Sequence, residues 1–454
     1  MARTIDVASL IDGRRLNGFN YLVITLSWLI TAFDGLDQMM IGFTVPYIRD
    51  QLHLTNAMIG YIASAGLAGM TVGGLLSPVL ADRIGRRPAV ILTSFAFGVL
   101  TAATAWADSY PALVVMRFVD GLAIGGMLPL AWALNIEFVP KRIRATVVTV
   151  VMVGYSAGVA LAGPLTNAIA PDYGWQGVYL AGGIGTLICA GALSLWLPES
   201  IRFLVVSGRR PDVLVHTLRR LDPACDATPA DRFELRDEAA SAFHVRQLFA
   251  GPLKLVTPLL WFGYLMSSLA VFFISSWGPI VIESLEFSRR TAAIVPSFTS
   301  LFGASAGLLL MRFTDRRGPG AISVYPAIAV PALLIAGLGL VPHDAFLVVV
   351  LVGTSLVTGM HFGMHSIAGI YYPSVIRATG AGVATSVAKF GAILGPIVGA
   401  SVLSSGIPVV RTYALLAVCP AFVCLAVLAM SAVLRAQAPM PGALTAGGAA
   451  PRAG

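Results

Sequence analysis

The chain has 454 residues, of which 57% are hydrophobic and 11% are charged, and its mean hydropathy is +0.83. Soluble domains carry about 25% charged residues, so this composition excludes an ordinary soluble protein and predicts a chain that crosses a membrane many times. A net charge of +8 would suggest a nucleic-acid partner in a soluble protein. In a membrane protein the position of the basic residues matters more than their sum, and we expect the lipid bilayer as a partner and no nucleic acid.

Twelve apolar segments, each long enough to cross a bilayer as a helix, predict an all-α membrane protein of two six-helix bundles. The first segment is too long for a cleavable signal and follows a polar N-terminus. The segments lie near 20–45, 57–80, 89–107, 111–138, 144–170, 177–197, 255–283, 291–311, 320–341, 344–371, 378–402 and 409–434. The predicted division is an N-terminal segment 1–19, bundles 20–197 and 255–434, a polar central loop 198–254, and a disordered tail 435–454.

The distribution of basic residues predicts the orientation. Counted over alternate connections, the side that carries both termini and the central loop has 24 of the 30 Lys and Arg residues. The opposite side has four, Arg49, Arg289, Arg290 and Arg411. By the positive-inside rule both termini are cytoplasmic. The strong preference for Arg over Lys is typical of a high-GC bacterial genome, so we predict a multi-pass protein of a bacterial inner membrane.

The first apolar segment contains two carboxylates, Asp34 and Asp37, near its middle. Acidic residues at membrane depth are costly and mark ion paths, proton relays or substrate cavities. Three residues apart, the two share a helix face, and Gly35 between them permits close helix approach. We predict that they couple the protein to protons; the alternative is a structural pair satisfied by neighbouring polar groups.

Arg117 and Asp120 lie in the fourth segment. At ~1.5 Å per residue, Arg117 lies roughly 9 Å from the outer end of the fourth segment, and Asp37 lies roughly 12 Å from the outer end of the first. The two residues therefore have similar depths. In an Arg117–Asp37 pair, a proton that binds the carboxylate would release the arginine, which would couple the protein to protons. An Arg117–Asp120 pair within one helix (i, i+3) is the alternative, and the sequence leaves both open.

Candidate substrate-binding residues lie mainly in the second half. Lys389 lies in the middle of the eleventh segment, where a lysine needs an anion such as a substrate carboxylate. His361 and His365 are four residues apart in the tenth segment, but no third ligand at a suitable spacing supports a metal site. Packing is the alternative role for these histidines. The complete set of substrate candidates is Arg117, Lys389, His361, His365, Trp277 and Phe362.

Charged residues recur at the cytoplasmic helix ends. Residues 82–87 read Asp-Arg-Ile-Gly-Arg-Arg, and six segments later residues 315–318 read Asp-Arg-Arg-Gly. Matching signals six segments apart predict duplicated halves with a substrate site between them. The whole membrane domain thereby resembles the major facilitator superfamily, in which the first motif is a latch that closes the cytoplasmic side. We extend this cytoplasmic cluster to Asp82, Arg83, Gly85, Arg86, Arg87, Glu137, Arg142, Arg144, Asp315 and Arg316.

Two further stretches resemble the aromatic acid:proton symporters within that superfamily. They are Phe-Asp-Gly-x-Asp at 33–37 and Tyr-Tyr-Pro-x₃-Arg-Ala-Thr-Gly at 371–380. The resemblance implies that Asp34 and Asp37 are required for coupled uptake, and that Arg117, Glu137 and Arg377 are supporting charges. The chain departs from the family at Lys389, where relatives carry arginine, and at His365, where they often carry an amide. Lysine keeps the charge but lacks the planar fork that fits a carboxylate.

The sequence therefore predicts a proton-coupled secondary transporter that imports an aromatic or related organic acid by alternating access. It predicts no enzyme activity, no metal and no cofactor, with the proton gradient as the driving force and the monomer as the functional unit. A proton-driven efflux carrier is the first alternative. A transporter-like sensor acting through the 198–254 loop is the second, although that loop has no signalling motif.

Overall fold

The computed structural model describes residues 3–208, 210–235, 245–372 and 374–437, and the predicted tail lies outside them from residue 438 onward. Almost all of these residues are helical. Two short strands, β1 (Thr4–Asp6) and β2 (Arg232–Glu234), and three 3₁₀ turns, Lys141–Ile143, Val245–Phe249 and Pro319–Ser323, complete the elements. The helices are α1 (Val7–Asp12), α2 (Gly18–Leu52), α3 (Asn56–Ile84), α4 (Arg86–Thr104), α5 (Tyr110–Ile124), α6 (Met127–Phe138), α7 (Arg144–Trp196), α8 (Ile201–Ser207), α9 (Pro211–Leu221), α10 (Leu253–Glu283), α11 (Arg289–Arg317), α12 (Val324–Gly337), α13 (His343–Tyr371), α14 (Ser374–Ser404), α15 (Arg411–Leu416) and α16 (Val418–Gln437).

Within the described residues, eleven helical stretches are long and apolar enough to cross a membrane. One of them, Lys141–Trp196, has 56 residues, more than twice the length of about 20 that a crossing needs. The backbone of Gly174 leaves the helix inside this stretch, with φ 65° and ψ −178°. The fifth and sixth predicted segments meet there, so the eleven stretches contain the twelve predicted crossings.

The fourth crossing is broken, although the sequence predicts one continuous segment over 111–138. Helix α5 ends at Ile124 and α6 begins at Met127, with Gly125 and Gly126 between them. A Cβ on Gly125 would lie 2.2 Å from the carbonyl oxygen of Met70. The break is therefore a place where α3 approaches closer than any side chain permits.

Each half contains a pair of helices whose backbones touch, and glycine makes this contact possible. In the first half, a Cβ on Gly35 or Gly158 would lie 2.2 or 1.8 Å from a backbone carbonyl oxygen, so α2 and α7 touch backbone to backbone. In the second half, a Cβ on Gly391 would lie 2.2 Å from the carbonyl oxygen of Leu265 on α10. The first and fifth crossings thus pack as the seventh and eleventh do, which is the relation expected of duplicated halves.

The two halves meet at the end of the helices that lies away from the central loop. Three helix pairs, α2–α10, α3–α14 and α7–α11, approach closely there. A Cβ on Gly42, Gly60 or Gly163 would lie 2.3, 2.9 or 2.3 Å from the carbonyl oxygen of Ser275, Pro396 or Ala293. An ion pair between Arg289 and Asp50, 3.0 Å apart, adds a polar contact at the same end. The structure is therefore closed on this side.

The N-terminal segment and the central loop pack on one another. Strand β1 pairs in parallel with β2, and Arg3 Nη1 donates to Asp226 Oδ2 over 2.8 Å. The side chain of Asn17 donates to the Arg220 carbonyl oxygen over 3.0 Å. The loop predicted as a polar connection thus contains α8, α9 and β2, and it lies on the same side as the N-terminus.

We expect Gly35→Ala to destabilise the protein, because the added methyl group would overlap the Tyr155 carbonyl oxygen. Overpacking of this kind costs about 1–3 kcal/mol, measured as a lower unfolding temperature in detergent. Gly191→Ala in α7 is the matched control, since nothing lies within 4 Å of its added Cβ. A Gly35→Ala protein as stable as the Gly191→Ala protein would contradict the backbone contact.

Candidate functional site

A buried cluster of three charges joins the first and fourth crossings. Arg117 donates from Nη2 to Asp37 Oδ2 over 3.0 Å and from Nη1 to Asp37 Oδ1 over 3.2 Å. The same Nη1 donates to Asp120 Oδ2 over 2.8 Å. The three side chains are at most 6% exposed. Both pairings that the sequence left open therefore occur together, and one guanidinium faces two carboxylates.

Two more side chains surround this cluster, and neither carries a charge that would have marked it during sequence analysis. Thr101 on α4 places its Oγ1 3.3 Å from a carboxylate oxygen of Asp37 and of Asp120. The ring of Tyr179 lies 5.9 Å from the Arg117 guanidinium carbon. A buried charge is stable only when it is paired and hydrogen-bonded, and these contacts give each member of the cluster at least one partner.

Asp34 has a different environment from Asp37, although the two share a helix face. Its side chain is 1% exposed, and neither carboxylate oxygen has a hydrogen-bond partner among the described residues. An ionised Asp34 would be an uncompensated buried charge, so this arrangement favours the neutral acid. Asp37, in contrast, accepts two hydrogen bonds from the Arg117 guanidinium. The geometry thus separates the roles of two acids that the sequence could only treat as a pair.

A small space adjoins the cluster at the junction of the two halves. It measures about 20 Å³, enough for a water molecule, and its wall includes Gln38, Arg117, Ser275 and Ser276. The Gln38 side chain, one helical turn beyond Asp34, has a buried Oε1 with no partner in the described part of the chain. Polar groups therefore continue from Asp34 along α2 to the Arg117 cluster.

A larger cavity of about 390 Å³ lies between the halves, with walls from α6, α7, α11, α13 and α14. Most of its surface is apolar, and among the side chains that the structure describes, Phe362 is the one sequence-predicted substrate residue on its wall. Its polar members are Trp132, Thr149, Ser156 and Thr385. Sequence reasoning missed these four because none is charged. The spacing of Thr149, Met152 and Ser156 along one face of α7 was the available signal.

Lys389 lies one helical turn beyond Thr385 on α14. Its Nζ is 2.7 Å from the position that a Cβ on Gly74 would occupy, so the side chain reaches across to the first half. That Cβ position is also 3.0 Å from the Gly125 carbonyl oxygen, at the break between α5 and α6. Within the described residues, Lys389 has no carboxylate partner. It is therefore a half-buried cation for which the described part of the chain supplies no counter-ion.

The structure separates Arg117 from Lys389. Arg117 lies beside Gly66, and Lys389 lies beside Gly74 on the same helix. Eight residues along a helix correspond to about 12 Å. Since Arg117 already binds two carboxylates, Lys389 is the better placed of the two to meet an added anion.

Two other substrate candidates have partners within the second half. The indole Nε1 of Trp277 donates to the Pro396 carbonyl oxygen over 2.9 Å, and this side chain is fully buried between α10 and α14, away from the cavity wall. His361 Nδ1 lies 3.1 Å from Ser267 Oγ. The side chain of His365 lies outside those that the structure describes. No group of metal-ligating side chains occurs in the described residues.

The core of the cytoplasmic cluster lies within the first half. Arg86 forms an ion pair with Glu137, and Glu137 also accepts from Ser200 Oγ over 2.6 Å. The Arg87 N–H donates to Glu199 Oε1 over 3.0 Å, while Gly85 turns the chain with φ 100°. Glutamates at the ends of the fourth and sixth crossings thus bind the 82–87 loop.

Other predicted members of the cluster lie at its edge or outside it. Asp82, Arg83 and Arg316 are exposed. Arg142 donates to the Arg14 carbonyl oxygen over 2.7 Å, and Arg144 donates to the Val139 carbonyl oxygen over 3.5 Å. The side chains of Asp315 and Arg377 lie outside the described ones, so their predicted roles stay predictions.

The two acids of α2 should respond differently to neutral substitution. We expect Asp34→Asn to change the free energy of unfolding by less than about 1 kcal/mol, because an amide resembles the neutral acid in shape. Arg117→Gln leaves two buried carboxylates without a cation and should cost about 3–5 kcal/mol. Asp37→Asn should fall between them, since Arg117 keeps Asp120. Unfolding in detergent measures all three, and an Asp34→Asn protein as unstable as Arg117→Gln would contradict the neutral Asp34.

Comparison with known proteins gives matches over both halves. The profile of the Major Facilitator Superfamily matches residues 27–396. The 4-hydroxybenzoate transporter of Pseudomonas putida is 33% identical over 89% of this chain and 91% of that protein. The gallate transporter of the same species is 32% identical, over 92% and 93%. The 3-(3-hydroxy-phenyl)propionate transporter of Escherichia coli is 32% identical, over 85% and 87%.

Solved structures share the fold at low sequence identity. A xylose transporter from E. coli has a TM-score of 0.70 at 16% identity, covering 90% of this chain and 97% of that one. A bacterial homolog of the human lysosomal transporter Spinster has a TM-score of 0.69 at 17% identity, covering 93% and 99%. The predicted fold of two six-helix bundles is confirmed.

Proposed function

Because this chain belongs to the Major Facilitator Superfamily, we propose that it imports an aromatic acid together with protons by alternating access. Like its relatives, the chain is a multi-pass membrane transporter and not an enzyme. The named substrates of the three relatives above combine an aromatic ring with a carboxylate. The proposal transfers that substrate class to this chain.

The observation that carries the proposal is an apolar cavity with Lys389, which has no carboxylate partner among the described residues, one helical turn beyond its wall residue Thr385. A cavity of about 390 Å³ falls within the range of about 300–1,000 Å³ typical of small-molecule sites. Its apolar wall, which includes Phe362, suits an aromatic ring. Lys389, one turn beyond Thr385, supplies the cation that a carboxylate requires. The cavity lies between the halves, where this superfamily's architecture places substrate.

The proposed proton carrier is Asp34. In this state the halves are closed at the end away from the central loop, and Asp34 is suited to be neutral. In the proposed cycle Asp34 takes up its proton when the halves open to the outer side and keeps it while the side chain is buried as here. Asp34 becomes ionised by releasing the proton once water from the central-loop side reaches it. Asp37, fixed by Arg117, supports this cycle by keeping α2 joined to α5. The proton gradient supplies the energy, and no cofactor takes part.

We place the protein in a bacterial inner membrane, as a monomer with both termini in the cytoplasm. The excess of basic residues on one side supports this orientation. The pairing of β1 with β2 supports a common side for the N-terminus and the central loop.

Uptake of labelled 4-hydroxybenzoate into cells that express the protein tests the function. We expect accumulation that an uncoupler abolishes and that Asp34→Asn or Asp37→Asn reduces at least tenfold. Asp34→Asn acts through lost coupling and should still reach the membrane in normal amounts. Asp37→Asn acts by weakening the contact of α2 with α5, so its uptake is compared at an equal amount of protein in the membrane. Lower retention of the acid in expressing cells would instead establish export and overturn the import proposal.

Substitutions that remove or keep the positive charge of Lys389 test its role. Lys389→Gln should raise the KM for 4-hydroxybenzoate about 10- to 100-fold, since hydrogen bonds to charged groups contribute about 1.5–3 kcal/mol. Lys389→Arg should keep most of the affinity. Lys254→Gln at the exposed start of α10 is the control for loss of a positive charge. An unchanged KM in Lys389→Gln would remove the lysine from the substrate site.

A further inference from the structure

The indole N–H of Trp132 is an unused hydrogen-bond donor on the wall of the large cavity. Its Nε1 atom is buried and has no acceptor in the part of the chain that the structure describes. Buried tryptophan N–H groups usually donate a hydrogen bond, because a buried donor without an acceptor costs free energy. The cavity is the space in which such a partner can lie.

Two hydroxyl groups on the same wall are already used as donors. Thr385 Oγ1 donates to the Ala381 carbonyl oxygen over 2.8 Å, and Ser156 Oγ donates to the Met152 carbonyl oxygen over 3.5 Å. Their oxygen atoms keep lone pairs but offer no further hydrogen. Trp132 therefore differs from Thr385 and Ser156 in needing an acceptor from the occupant.

Trp132 and Lys389 lie at different depths. Trp132 is six residues from the end of α6 at Phe138, and Lys389 is fifteen residues from the start of α14 at Ser374. Both ends face the central-loop side, so the two residues lie about 9 and about 22 Å from it along their helices. The Lys389 Nζ lies near the Gly125 carbonyl oxygen, and Gly125 precedes Trp132 by seven residues, about 10 Å along the fourth crossing. One aromatic ring with a carboxylate can bridge a separation of this size. A carboxylate directed toward Lys389 leaves the opposite end of the ring near Trp132.

We propose that Trp132 is a specificity-determining residue whose indole N–H donates to a hydroxyl oxygen on the substrate ring, para to the carboxylate. This inference rests on the proposed function, in which Lys389 binds the carboxylate. A site with a donor rejects an analogue that has no acceptor there, because the donor is then left buried and unpaired. The transporter should accordingly prefer a para-hydroxylated acid to one of the same size without the oxygen.

Equilibrium binding to the purified, full-length protein tests this preference. The ligands are 4-hydroxybenzoate and 4-methylbenzoate, which are similar in size but differ in the acceptor. We expect wild type to prefer the hydroxyl ligand about tenfold, and Trp132→Phe to bind both within about threefold of each other, with the affinity for 4-methylbenzoate unchanged. Trp261→Phe is the matched control, because its ring packs edge-on against Phe249 outside the cavity and should keep the tenfold preference.

A third ligand tests the donor direction without any substitution. The amino group of 4-aminobenzoate donates well and accepts poorly, so wild type should bind it as weakly as 4-methylbenzoate. Binding as tight as that of 4-hydroxybenzoate would overturn the assignment of Trp132 as donor.

The outcomes also separate this inference from the proposed function. If wild type binds and transports aromatic acids but Trp132→Phe keeps the hydroxyl preference, only the role of Trp132 fails. Equal weakening of both ligands by Trp132→Phe would indicate packing and would likewise overturn the role. Absence of binding and uptake for all three ligands would overturn both proposals.

Discussion

The structure of the first half depends on one guanidinium that is shared between two helices. Arg117 binds Asp37 on α2 and Asp120 on its own helix, all at membrane depth. Removing water from three charges is costly, and only mutual pairing offsets that cost. The cluster therefore fixes the rotation of α2 about its axis. That rotation places Asp34 on a face with no counter-charge in the described residues, so the pairing of one aspartate sets the isolation of the other.

Backbone contact through glycine is the second constraint, and it organises the space between the halves. Where glycines allow helices to touch at the end away from the central loop, no room remains for a ligand. Nearer the central loop, α7 and α11 form walls of the 390 Å³ cavity together with α6, α13 and α14. In the proposed alternating-access cycle, a rocking motion about the glycine contacts changes the size of this cavity without unfolding either half. The proposed cycle thus uses two bundles that stay folded and one interface that changes.

The sequence predicted the parts of this arrangement that carry charge or periodicity. Twelve apolar segments, the buried acids and the 82–87 loop each have a strong local signal, and Arg117 and Asp37 could be matched in depth from helix rise alone. Which carboxylate Arg117 binds could not be derived, because it depends on helix rotation. The cavity wall at Trp132, Thr149 and Thr385 was also missed, since uncharged residues in apolar helices look alike until packing is known. Trp277 and Phe362 show the same limit: one packs inside the second half and the other lines the cavity.

The parallel pairing of β1 with β2 has a consequence for how the protein is made. Arg3 and Asp231, joined by a hydrogen bond beside this pair, are 228 positions apart. Residues 4–6 leave the ribosome long before residues 232–234 are synthesised, and six crossings enter the bilayer in the meantime. The N-terminal strand can be completed only after the central loop has been synthesised. Assembly of this face of the first bundle is therefore a late event in translation, and it coincides with the start of the second bundle.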